Sequence, residues 1–132
     1  MARDRKQGAV KLGERELDLM NALWTLGDAS VGEVHETLAE QGVDTAYTTV
    51  QTMLNRLVDK RLAARELHGR AYRYSPRLRR PDAALGAVGT LIQRFFGGSA
   101  EALARHLVEE DLSEAELERI RRLIERRREE AP

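Results

Sequence analysis

"AYTTVQTMLNRL", residues 46–57, decides how this chain is read. Val50, Leu54, Leu57 and Val58 recur at i, i+4, i+7 and i+8, one apolar stripe at helical spacing. The opposite face carries Thr48, Thr49, Gln51, Thr52, Asn55 and Arg56. Charged residues make up 33% of the chain, yet these twelve positions hold one Arg and no carboxylate. An ordinary solvent-facing helix surface uses Glu and Lys, which are strong helix formers. Short side chains that donate and accept hydrogen bonds, without negative charge, suit a face that approaches phosphates and base edges. The plainer reading of the same pattern is a polar surface or a partner groove.

The surrounding charge favours the first reading. The formal net charge is zero, but it is unevenly spread. Residues 12–44 hold one basic residue, Arg15, against eight acidic ones. Residues 45–80 hold nine basic residues against Asp59 and Glu66. A block of that kind can neutralise phosphates and release counterions. It could also simply face the acidic block within the fold.

The 132 residues fit one domain, or one domain with a small appendage. With 42% hydrophobic residues the chain can bury a core. No apolar run approaches the roughly 20 residues that span a bilayer. The start, "MARDRKQGAVKLGER", lacks the apolar centre of a signal peptide. There is no cysteine, which removes disulfides, thiolate metal sites and thiol catalysis. A cytoplasmic location is expected. The 19 Arg against 3 Lys read as the mark of a GC-rich genome rather than of mechanism.

Along the chain, residues 1–12 read as a flexible basic arm. A first helix is expected over residues 14–26, with Leu17, Met20 and Trp24 on its apolar face, ended by "GDAS". Ser30 with Glu33 three residues on is a capping box that opens a second helix, buried through Val31, Val34 and Leu38 and stopped at Gln41 and Gly42. The third helix spans about residues 46–60. Then the helical period is lost. Residues 62–67, a turn at His68 and Gly69, and residues 70–75 read as a hairpin with Tyr72 and Tyr74 on one face and Ala71 and Arg73 on the other. Pro76 and Pro81 bracket a basic connector.

Pro81 and Asp82 suit the first turn of a fourth helix, with Leu85, Val88, Ile92, Phe95 and Phe96 as its stripe and Gly97 and Gly98 as its end. Ser99 caps a short fifth helix with Leu103 and Leu107. Ser113 with Glu116 opens a last helix with Leu117, Ile120 and Ile124, and "RRREEAP" is a solvated tail. Phe95 and Phe96 lie about 100° apart on a helix, so both cannot enter one small core.

The expected fold is therefore mainly α. An N-terminal winged helix-turn-helix of three helices and a two-strand wing (residues 1–80, with the arm) binds DNA. A small three-helix dimerisation region follows (residues 81–132). In a winged helix the third helix enters the major groove, and a two-fold dimer matches a palindromic site.

The sequence resembles the penicillinase-repressor (BlaI/MecI/CopY) family of bacterial winged-helix transcriptional repressors. The resemblance spans roughly residues 12–127 and is carried by "LGERELDLMNALW", "SVGEVHETL", "AYTTVQTMLNRLVDK", "GRAYRYSP" and "FFGGSAEALARHL". It implies a homodimer that represses transcription from a palindromic operator. It puts the recognition helix at residues 47–57, with Thr48, Thr49, Gln51, Thr52 and Arg56 as DNA contacts and the wing at His68, Gly69 and Arg70. Tyr47, Asn55, Lys60 and Arg73 join the expected contact set. Dimerisation is expected through Leu85, Val88, Ile92, Phe95, Phe96, Leu103, Leu107, Leu117, Ile120 and Ile124. A regulatory membrane protease or a small-molecule inducer is the further partner implied.

The chain departs from the family pattern in three places. The family has Gly after the Lys that closes the recognition helix, and here Arg61 stands there. A helix end without Gly needs another way to satisfy its last carbonyls. The copper-sensing branch uses a Cys-rich tail, and this chain has no Cys. The β-lactam branch is cleaved at an Asn-Phe bond in the fourth helix, where this chain reads Gln93-Arg94-Phe95-Phe96.

No enzyme, cofactor or metal is expected. His35, His68 and His106 sit on separate elements, and the acidic neighbours of His106 (Glu109, Glu110, Asp111) make a poor ligand set. There is no phosphate loop, nucleophile elbow or paired-His motif. The rival to a repressor is an interaction or oligomerisation module whose basic block docks an acidic partner.

Overall fold

The computed structural model describes residues 11–131, so the arm expected at the start lies, up to residue 10, outside the described residues. The chain divides into two compact units, residues 1–88 and 89–132. In order it forms α1 (Glu14–Leu26), α2 (Val31–Glu40), α3 (Tyr47–Asp59), β1 (Ala63–His68), β2 (Ala71–Pro76), α4 (Arg80–Phe95), α5 (Ala100–His106) and α6 (Glu114–Glu130). The architecture is mainly helical, with one antiparallel two-strand hairpin. It is a winged helix-turn-helix followed by a small helical unit.

The first unit holds a continuous core. α1 contributes Leu19, Met20, Ala22 and Leu23, and α2 contributes Val31, Val34 and Leu38. α3 contributes Val50, Leu54 and Leu57, and Leu62, Ala63 and Tyr74 close the core from the hairpin. The expected stripe on α1 is corrected here. Leu17 is 41% exposed, and Trp24 is half-buried. α1 packs on α2, α3 and β2 together, so its buried face is broad and centred on residues 19–23 rather than on a narrow i, i+3, i+7 line.

Local chemistry sets the helix ends. Ser30 Oγ accepts from the Glu33 amide (3.1 Å), and Glu33 Oε1 accepts from the Ser30 amide (2.9 Å), the reciprocal capping box. α3 starts at Ala46 with no side-chain cap. A missing cap costs about 1 kcal/mol, while each fully buried leucine contributes about 1.5–3 kcal/mol. Leu54 and Leu57 therefore dominate, and packing rather than capping places α3.

The end of α3 answers the departure at Arg61. The Leu62 amide donates to Leu57 O and the Arg61 amide to Val58 O, both at 2.9 Å. This is the Schellman pattern, and it requires a left-handed residue at its centre. Arg61 adopts that conformation, with φ of 65°. The last carbonyls are satisfied in the ordinary way, by an arginine in a glycine's position.

The hairpin register pairs Ala63 with Pro76 and His68 with Ala71. Its turn is therefore Gly69-Arg70, one residue later than expected. A two-residue hairpin turn needs positive φ at its first position, and Gly69 supplies 66°. Tyr74 is buried and Tyr72, on the same face, is exposed, because only the base of the wing rests on the core. Ala29, between α1 and α2, pairs with Tyr74 through reciprocal amide–carbonyl bonds of 2.8 and 2.7 Å. This bridge ties the base of the wing to the helix-turn-helix. Beyond β2, the Trp24 indole N–H donates to Leu78 O at 2.8 Å, and the Arg80 guanidinium lies 5.3 Å from the Trp24 ring centroid.

The second unit is built by turns and caps. Gly97 and Gly98 both take positive φ (58° and 84°), and the Gly98 amide donates to Ile92 O. Ser99 caps α5, accepting from the Ala102 amide at 3.0 Å. Leu107, expected on the α5 stripe, instead begins a π-helical turn, Leu107–Asp111. Ser113 and Glu116 form the second capping box. The tail expected after residue 125 is exposed but helical as far as Glu130.

Candidate nucleic-acid interface

The outer face of α3 presents Tyr47, Thr48, Thr49, Gln51, Thr52 and Arg56, all exposed. Thr52 donates its hydroxyl to Thr48 O at 3.0 Å, which leaves its oxygen able to accept. The Tyr47 ring stands edge-on to His35 with centroids 5.9 Å apart. The same ring lies against α2 beside Gly32, where an added Cβ would meet it in ordinary van der Waals contact at 3.9 Å. At the wing, Gly69 and Arg70 are exposed at the turn, and His68 Nε2 lies 3.0 Å from Glu66 Oε1. The Arg65 guanidinium stacks over the Tyr72 ring at 4.4 Å.

Three further members of the expected contact set are tied to other elements of the protein. Lys60 Nζ donates to Glu16 Oε2, joining the end of α3 to α1. The Lys60 hydrogen bond, then the Gly13 amide, hold the Glu16 carboxyl below its usual range. Arg73 Nε donates to Asp28 Oδ1, and its Nη2 reaches Asp28 O and Glu33 Oε1, both at 3.1 Å. The Asp28 bond leads in raising the Arg73 guanidinium's pKa further, so it stays charged. Asn55 Oδ1 accepts from Arg65 Nη1 (2.7 Å) and from the Tyr74 hydroxyl (2.8 Å). Sequence reading missed this network. The period-two placement of Tyr72 and Tyr74 was its one visible sign.

The two charge blocks do meet, but narrowly. Among the described residues, Lys60 and Arg73 are the basic residues of the 45–80 block that pair with acidic residues of the 12–44 block. Arg56, Arg61, Arg65, Arg70, Arg77, Arg79 and Arg80 remain exposed. Mutual neutralisation therefore does not account for the basic block.

In the second unit and along α4, Leu85, Val88 and Ile124 are exposed, as is Phe95 at 76%. Leu107 is exposed too, while Ile92, Phe96, Leu103, Leu117 and Ile120 are half-buried. Phe96 packs on His106 with ring centroids 5.9 Å apart, so the two adjacent phenylalanines do diverge. Leu91, Val108 and Leu123 are further exposed apolar residues that the stripe reading omitted. His106 Nε2 lies 4.0 Å from Asp111 Oδ2, and among the described residues no three His, Cys, Asp or Glu side chains come together as a metal set. Among those residues, no helix is long and apolar enough to cross a membrane.

Three helices and a hairpin wing define a winged-helix protein. Residues 12–126 match the family described as Penicillinase repressor, and the chain belongs to that family. It is 38% identical over 102 residues to the transcriptional regulator BlaI of Mycobacterium tuberculosis, covering 76% of this chain and 73% of that one. It is 25% identical over 116 residues to the penicillinase repressor of Bacillus licheniformis, covering 87% and 90%. It is likewise 25% identical over 118 residues to the methicillin resistance regulatory protein MecI of Staphylococcus aureus, covering 89% and 95%. Among solved structures, the YusO protein of Bacillus subtilis superposes with a TM-score of 0.49 at 19% identity, covering 98% of this chain and 82% of that one. Family membership makes the chain a transcriptional regulator rather than an enzyme.

Proposed function

We propose that the chain is a homodimeric, sequence-specific repressor that engages a palindromic operator through α3 and the wing. The observation that carries this reading is the outer face of α3 over residues 47–56, polar and free of carboxylates, flanked by Arg56, Arg61, Arg65 and Arg70, which among the described residues pair with no acidic side chain. Gln51 and Arg56 have the reach and the donors to read base edges in the major groove. Tyr47, Thr48, Thr49 and Thr52 contact phosphates, and His68 and Arg70 reach the flanking backbone or minor groove. The apolar faces of α4, α5 and α6 join two copies. Linking two heads makes the second contact intramolecular, which raises overall affinity without a new contact. A membrane protease or a small-molecule inducer would release the operator by ending simultaneous engagement.

Selection of binding sites from a random DNA pool tests this. The expected product is one two-fold-symmetric site that resists competition by random DNA. Gln51→Ala should lose about 1–3 kcal/mol of base discrimination at one position per half-site. Weak binding indifferent to sequence would instead favour a basic surface that docks an acidic partner.

A further inference from the structure

Asn55 lies on α3 between Thr52 and Arg56, among residues that the proposed function brings to DNA. Its amide is already committed. Arginine offers donors only, so the atom 2.7 Å from Arg65 Nη1 must be the amide oxygen. The Tyr74 hydroxyl approaches the same oxygen at 2.8 Å. Two donors occupy both of its lone pairs. An asparagine that reads adenine accepts from N6 at this oxygen while donating from Nδ2 to N7. That pairing needs the acceptor that the hairpin holds.

The two donors are well placed to grip. Arg65 on β1 and Tyr74 on β2 are direct register partners, so Asn55 is held from both strands at one level of the ladder. The Arg65 guanidinium is oriented by stacking on Tyr72 at 4.4 Å. Tyr74 is buried to 1% exposure, and its backbone is fixed by both bonds to Ala29. Burial raises the Tyr74 phenol's pKa, so it keeps the proton it donates.

We infer that Asn55 is a positioning residue, which locks the wing to the recognition helix so that both meet DNA as one rigid reader. This rests on the reading that α3 and the wing engage DNA. It follows that the contribution of Arg70, at the wing turn, depends on Asn55, although the two need not touch.

The test uses the full chain with Asn55→Ala, Asn55→Asp, Arg70→Ala and the Asn55→Ala/Arg70→Ala pair. Without DNA, Asn55→Ala should speed amide hydrogen exchange across residues 63–76 by about tenfold, leaving the α1 and α2 amides unchanged. Asn55→Asp still accepts from both donors and should restore protection. On the selected operator, Arg70→Ala should weaken binding about tenfold in the parent and less than about twofold in the Asn55→Ala background. Multiplying losses, or a changed base preference at one operator position with hairpin exchange unaltered, would overturn the inference and make Asn55 a base reader. If Asn55→Ala does not fold, Tyr74→Phe deletes one donor hydroxyl and gives the same two readouts. A parent protein that selects no site would overturn the DNA reading instead, and the exchange data would still decide whether Asn55 fixes the wing.

Discussion

Arg61 shows how far a single position can depart from its family pattern without changing the backbone. The Schellman bonds at the end of α3 are intact, yet their left-handed residue carries a Cβ. That conformation costs an L-residue roughly 1 kcal/mol, which glycine avoids. Glycine also gives the unfolded chain more freedom, and this offsets part of the gain. Arg61→Gly is therefore expected to stabilise the first unit by about 0.5–1 kcal/mol. Denaturant unfolding should show a raised midpoint with an unchanged slope. A lowered midpoint would mean that the arginine side chain makes a compensating interaction. Asn55 marks the limit of reading at this scale. Its polarity was plain in the sequence, but the donors that occupy its oxygen lie 10 and 19 positions away.

Elements defined by neighbours in sequence were legible, and those defined by distant partners were not. The capping boxes at Ser30 and Ser113 act across three residues, and both helices start where they were expected. The α3 stripe is likewise local, and Val50, Leu54 and Leu57 are buried as read. The broad face of α1 and the Ala29–Tyr74 bridge depend on elements far along the chain, which no periodicity reports. Of the expected interface, the exposed face of α3 was readable from composition. The internal roles of Lys60 and Arg73 were not, because Glu16, Asp28 and Glu33 reach them from 44, 45 and 40 positions away. Two of these carboxylates, Glu16 and Glu33, make the first unit sensitive to acid. Glu33 is held below its ordinary value of 4.5 by the Ser30 amide first and by Arg73 after it, and Glu16 by Lys60 first. A depressed folded pKa favours the folded state at pH above the unfolded value. That contribution is lost as pH falls through the folded value. Thermal midpoints should therefore hold near neutrality and fall below about pH 4.5, with a shallower fall in Glu33→Gln. Equal slopes in the two proteins would remove Glu33 from the effect.

At the scale of the whole molecule, the two units differ in what they bury. The first contains every fully buried hydrophobic residue among those described, from Leu19 to Tyr74. The second leaves Phe95, Leu107, Val108, Leu123 and Ile124 exposed. A chain ending at Val88 should fold, remain monomeric at micromolar concentration and bind a half-site weakly, because avidity is gone. Sedimentation that finds this fragment dimeric would move the self-association surface into the winged-helix unit. The contact between Trp24 and Leu78 has a practical consequence for such measurements. Trp24 is the single tryptophan of the chain, and its indole N–H is bonded to the connector that leads into α4. The first unit thus carries its own fluorophore against that connector. Water that reaches the indole shifts its emission to longer wavelength, so the colour of unlabelled protein reports whether the connector is seated on α1.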